Sequence, residues 1–181
     1  MSHQIYYGSI EEDLLLLEQI VHGSKAMIEY YESVLDTKKD CDITFSEFEC
    51  ELIGYKGFLE ASVSDYLIRC ASRTRIIQDS NEFKTNDPDY CPDKESFERY
   101  SEVAWCVVGN VKLSIRECCN KIIHAKYVSL NFSKLESGLG QYWNGICSLK
   151  GDMHGKAWHI EIDVKKWVLA MKFYYAVITE L

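Results

Sequence analysis

The stretch Q-Y-W-N-G-I-C-S-L-K-G-D-M-H-G-K-A-W-H-I-E-I-D, residues 141–163, has a two-residue rhythm. Trp143, Cys147 and Leu149 alternate with Asn144, Ser148 and Lys150, and Trp158, Ile160 and Ile162 alternate with His159, Glu161 and Asp163. Side chains on a strand point alternately to its two faces, so this pattern predicts two half-buried strands. The segment K-G-D-M-H-G-K, bounded by Gly151 and Gly155, supplies the turn between them. Just upstream, Val128, Leu130 and Phe132 alternate with Ser129, Asn131 and Ser133 in the same way. Residues 127–163 therefore read as an antiparallel hairpin or short three-strand meander. Two or three strands cannot bury an apolar face unaided, so the rest of the chain must cover it.

The rest reads as helix. S-I-E-E at residues 9–12 has a capping residue followed three places on by Glu12, and Leu14, Leu17, Val21, Ile28, Tyr31 and Leu35 follow at close to helical period. T-F-S-E at 44–47 repeats the signal ahead of Phe48, Leu52, Tyr55, Leu59, Val63 and Leu67. Residues 80–95 hold both prolines with Asn81, Asn86, Asp87 and Asp93, and read as a loop. A third helical region is predicted from about Lys94 to Ala125. Asp163 is placed to cap a last helix over 164–180. The predicted fold is mainly α: a helical bundle over 9–125, a β-hairpin or three-strand meander over 127–163, and a C-terminal helix, all in one domain spanning 1–181 (α+β). A length of 181 residues suits about one domain.

Twenty Lys and Arg face 28 Asp and Glu, a formal charge of −8. Phosphate backbones are bound by neutralising them, so this balance disfavours a broad nucleic-acid footprint and favours a basic protein partner. No apolar run approaches the ~20 residues needed to span a membrane, and the N-terminus Met1-Ser2-His3-Gln4 lacks the basic start and apolar core of a signal peptide. The expectation is a cytoplasmic protein without membrane contact. Its eight cysteines then read as thiols rather than disulfides.

S-I-R-E-C-C-N-K-I-I-H-A-K, residues 114–126, carries the clearest polar pattern. Arg116, Asn120 and His124 recur every four residues, a step that advances about 6 Å and drifts only ~40° around a helix. They form one stripe. On a single helix Arg116 and His124 are still about 12 Å apart, so joint action would require a second copy packed across a two-fold axis.

This helix resembles the signature helix of HEPN-type proteins, a family of helical bundles that often dimerise. Many members are metal-independent ribonucleases of bacterial toxin–antitoxin and defence systems. Their motif is Arg, four to six residues, then His; here seven lie between. The resemblance implies that Arg116 binds the scissile phosphate, His124 transfers protons and Asn120 orients them. The same stripe also suits a polar seam between helices, because buried amides and imidazoles need partners.

Other candidates point less far. The histidines show no paired metal-ligand spacing, and neither a metal nor a cofactor is predicted. Arg69, Arg73 and Arg75 read as a solvated helix face, and Tyr142, Trp143 and Trp158 as sheet core rather than a base-stacking platform. Two functions follow. One is a small acidic protein of a bacterial toxin–antitoxin, immunity or defence module that neutralises a basic partner such as a nuclease toxin. Its contacts would be Asp87, Asp89, Asp93, Asp152 and Glu161, with the charged start Glu11 to Asp13. The other is a HEPN-like endoribonuclease using Arg116 and His124 across a homodimer, the one reading that involves nucleic acid. The sequence leans towards the binding protein over the enzyme.

Overall fold

A computed structural model describes residues 8–38, 44–80 and 90–180. The order of elements is α1 (Gly8–Val34), α2 (Glu47–Ser80), α3 (Pro92–Glu98), β1 (Ala104–Val108), α4 (Ile115–His124), β2 (Tyr127–Lys134), β3 (Gln141–Met153), β4 (Lys156–Asp163) and α5 (Val164–Glu180). The fold is mainly helical with an antiparallel four-stranded sheet of order β1-β4-β3-β2 before the last helix.

The alternation at 141–163 becomes the centre of that sheet. Leu149 lies opposite Ile160, Cys147 opposite Ile162 and Gly151 opposite Trp158. Met153 and Lys156 close the hairpin around His154 (φ 53°) and Gly155 (φ 77°), the two left-handed residues of a type I′ turn, whose twist matches that of the strands it joins. β2 completes the meander, with a break in register. Leu130 faces Cys147 but Phe132 faces Trp143, so β3 carries a bulge around Gly145. That glycine has φ +97°, and a Cβ there would come within 2.8 Å of Lys165 Cε and 2.9 Å of Val21 Cγ2. The strand therefore bends where α1 and α5 approach it.

One face of the sheet is covered. Leu130, Trp143, Cys147, Leu149, Trp158, Ile160 and Ile162 pack with Leu14, Leu17 and Val21 of α1, Leu59, Val63 and Leu67 of α2, and Trp167, Val168 and Met171 of α5. Each fully buried Leu, Ile or Val side chain stabilises the fold by about 1.5–3 kcal/mol. The other face carries the polar alternates: Asn131 donates to Glu161, and Ser148 Oγ and His159 Nε2 lie 2.6 Å apart.

α1 and α2 run nearly as predicted, and Gly23, Gly54 and Gly57 interrupt neither. The start of α2 is capped two residues later than expected. Ser46 Oγ accepts from Glu49 N at 3.2 Å, and Glu49 Oε2 accepts from Ser46 N at 2.9 Å, a reciprocal capping box. Asp163 caps α5 as expected, accepting from Lys165 N and Lys166 N.

The third helical region is corrected. Residues 94–125 are not one helix but a short helix, a strand and a second helix. Residues 104–108, A-W-C-V-V, pair with β4, Ala104 opposite Ile162 and Cys106 opposite Ile160. Periodicity cannot assign an apolar run this short. The pairing is decided by the backbone on either side, where Glu102 (φ 58°) and Gly109 (φ 98°) turn the chain away from helix. The predicted 9–125 bundle thus contains the sheet's edge strand. α4 then carries the chain from that edge to β2 on the opposite one. Among the described residues, no helix is long and apolar enough to cross a membrane.

Candidate functional site

α4 is held firmly at its start. Ser114 Oγ accepts from Glu117 N at 3.2 Å, and Asp93 Oδ1 accepts from Arg116 N at 2.6 Å, so two of the helix's otherwise unpaired amides are satisfied. Asp93 is therefore not a free loop acid. It lies in the first turn of α3, which begins with Pro92, and ties α3 to α4.

Arg116 is occupied as well. Its Nη2 donates to Asp79 Oδ1 at 2.6 Å, at the end of α2, and Arg75 pairs with the same carboxylate at 3.0 Å. The hydrogen bond from Arg116 is the first cause that holds the Asp79 carboxyl below its ordinary value, with Arg75 adding to it. Arg116 borders a hollow of about 220 Å³ with Gln78, Cys91, Pro92, Asp93 and Tyr174. Burial pushes the Tyr174 phenol up to about 12, so it remains protonated there.

Asn120 and His124 open elsewhere. A cleft of about 470 Å³ lies between α4 and the tip of the β3–β4 hairpin, lined by Glu117, Asn120, Lys121, His124, Asp152, Met153 and Trp158. Glu117 organises its floor: Oε2 accepts from Asn120 Nδ2 at 3.0 Å, and Oε1 pairs with Lys121 Nζ at 3.0 Å. Lys121 is only 4% exposed, and its ammonium sits 4.6 Å from the Trp158 ring centroid. A buried charge is tolerated when paired and placed over an aromatic face, and here both conditions hold. Gly151 makes room for that ring, since a Cβ would come within 2.4 Å of Trp158 Cζ2. At the rim, Asp152 pairs with Lys126, which raises the lysine's pKa through the hydrogen bond.

The predicted stripe thus exists along α4 but serves two hollows. Arg116 belongs to the α2–α3 junction, whereas Asn120 and His124 belong to the hairpin cleft. His124 is exposed in the last turn of α4. Among the described residues it has no hydrogen-bond partner to orient it as an acid or base.

Cys118 and Cys119, beside the stripe, are fully buried, and burial is the first cause that drives both thiols well upwards. They stay as thiols, without the thiolate a nucleophile requires. The seven described cysteines are all free. No group of three or more potential metal ligands occurs among the described residues.

The acidic candidates are scattered. Asp87 and Asp89 lie outside the described residues. Asp152 is spent on Lys126, and Glu161 accepts from Asn131 on the open sheet face. Glu11 and Glu12 are exposed, but Asp13 is buried.

Asp13 is one of the interactions that the sequence reading missed. Its carboxylate takes Arg73 at 2.6 Å and Arg69 at 2.9 Å, so these arginines are not a solvated face but a bridge between α1 and α2. The available signal was an acid set among Ile10, Leu14 and Leu17 on an apolar stripe. The Glu117–Lys121 pair was equally visible as an i,i+4 spacing. No protein-family profile, curated protein or solved structure matches this chain.

Proposed function

We propose that this protein acts by binding a basic protein partner, as the acidic member of a bacterial toxin–antitoxin, immunity or defence module. The observation that supports the reading most is how its charges are paired. Arg69, Arg73, Arg75, Arg116 and Lys121 are consumed by Asp13, Asp65, Asp79 and Glu117. Exposed Glu11, Glu12, Glu51, Glu60 and Glu136 have no cation within ion-pair distance among the described residues. The chain's formal charge of −8 would speed encounter with a cationic surface and disfavour anionic ones.

The ribonuclease reading gains less from the arrangement. Arg116 would have to leave Asp79 to meet a phosphate, and among the described residues His124 has no side-chain hydrogen-bond partner.

Co-expression with the product of the flanking reading frame tests the proposal. Growth protection that survives Arg116→Ala and His124→Ala is the expected result. Absence of protection, with soluble folded protein present, counts against it.

A further inference from the structure

We propose that the cleft between α4 and the tip of the β3–β4 hairpin is a small-molecule site, and that its ligand is a neutral aromatic carboxamide. This goes beyond the binding function proposed above and does not depend on it.

The cleft is built around a charge that the fold buries. Lys121 is 4% exposed, yet it lines an opening of about 470 Å³, a volume in the range of ligand pockets. Glu117 Oε1 lies 3.0 Å from its Nζ, and the Trp158 ring centroid lies 4.6 Å away. An ammonium carries more donors than that single acceptor uses, and among the described residues no other acceptor reaches it. Buried donors are normally satisfied, so this lysine is suited to an acceptor entering from the cleft.

Asn120 supplies the complementary group. Its Nδ2 donates to Glu117 Oε2 at 3.0 Å. A carboxylate only accepts, so the amide must turn its NH2 that way and its carbonyl Oδ1 elsewhere. No donor meets Oδ1 among the described residues. A donor and an acceptor are thus left over at one place. Lys121 Nζ and Asn120 Nδ2 each lie 3.0 Å from an oxygen of the same carboxylate, which keeps both within reach of one small group. A C=O that accepts from Lys121, joined to an N–H that donates to Asn120, is a carboxamide.

Charge and wall chemistry fix the rest of the ligand. The ions at the cleft cancel in pairs, Glu117 with Lys121 and Asp152 with Lys126. A carboxylate or ammonium ligand would lose hydration there without gaining a free counter-charge, whereas a neutral amide would not. His124 is exposed at the rim, where water would screen any charge it carried. Met153, 58% exposed at the hairpin tip, offers a flexible thioether to the same space. Thioethers pack favourably on aromatic rings, so the amide's substituent is a flat ring.

Titration of the whole chain with benzamide, followed by two-dimensional amide NMR, tests this. Saturable shifts centred on Asn120, Lys121, His124 and Met153 are expected, at about millimolar affinity for so small a ligand. Benzoate, which is charged, and N,N-dimethylbenzamide, which has no N–H, should each bind at least about tenfold more weakly. Asn120→Ala should weaken benzamide by a similar factor. Met153→Ala, a change at an exposed tip that leaves the fold intact, should weaken it a few-fold. Absence of shifts, shifts centred away from the cleft, benzoate binding as well as benzamide, or affinity indifferent to both substitutions overturns the proposal.

Discussion

Asp13→Ala should be among the most damaging polar substitutions in the molecule. The carboxylate is 6% exposed and receives Arg73 Nη1 at 2.6 Å and Arg69 Nη2 at 2.9 Å, with Arg73 also donating to the Ser9 carbonyl at 3.2 Å. Removing one partner of a buried ion pair costs about 3–5 kcal/mol, because the other charge is left uncompensated. Here the side chains of Arg69 and Arg73 are 38% and 32% exposed, and Arg69 keeps Asp65 at 3.4 Å. Water and Asp65 recover part of the loss, which brings the expected cost to about 2–3 kcal/mol. For a chain of this size that is a fall in melting temperature of roughly 5–10 °C. Urea titration gives the free energy, and a double-mutant cycle with Arg73→Met should show coupling of at least about 1 kcal/mol. A change below about 0.5 kcal/mol, or no coupling, would mean that the α1–α2 bridge does not stabilise the fold and that the reasoning fails.

Three other outcomes follow from the geometry. Gly151→Ala should cost about 1–3 kcal/mol through overpacking against Trp158, and because that ring seats Lys121 it should also shift tryptophan fluorescence. Asp79 titrates below its ordinary value when folded, so its contribution is present above the unfolded carboxylate range and is lost as pH falls through the folded value. The stability deficit of Asp79→Asn, measured by urea titration, should accordingly be seen at pH 7 and disappear as pH falls through the lowered folded value. Cys70 and Cys147, both pushed up to about 12 mainly by burial, should resist thiol reagents at pH 8, while exposed Cys50 and Cys91 react first, as mapped by mass spectrometry.

Legibility in the sequence followed the length over which a pattern repeats. The central hairpin was plain, because six alternating positions on each side of a glycine-bounded turn favour one register. α1, α2 and α5 were plain for the same reason, as was the Asp163 cap. β1 was hidden: five apolar residues have no period of their own, and their partner, Ile160 to Ile162, lies more than fifty residues downstream. The candidate stripe was legible only in part. Spacing put Arg116, Asn120 and His124 on one side of a helix, but it could not say that Asp79 closes over the first while a hairpin tip faces the other two. Asp13 shows the converse. An acid in the middle of an apolar stripe announces a buried partner without naming which of three arginines on α2 will reach it.

Arg116 clamps α4 to α2 and α3, and the proposed function is binding rather than cutting. The most direct test is RNA incubated in chelator with the purified wild-type chain, Arg116→Ala and His124→Ala. Wild type should leave the RNA intact, indistinguishable from both variants, while Arg116→Ala melts lower. Cleavage by wild type that both substitutions abolish, with the helical spectrum preserved, would contradict it.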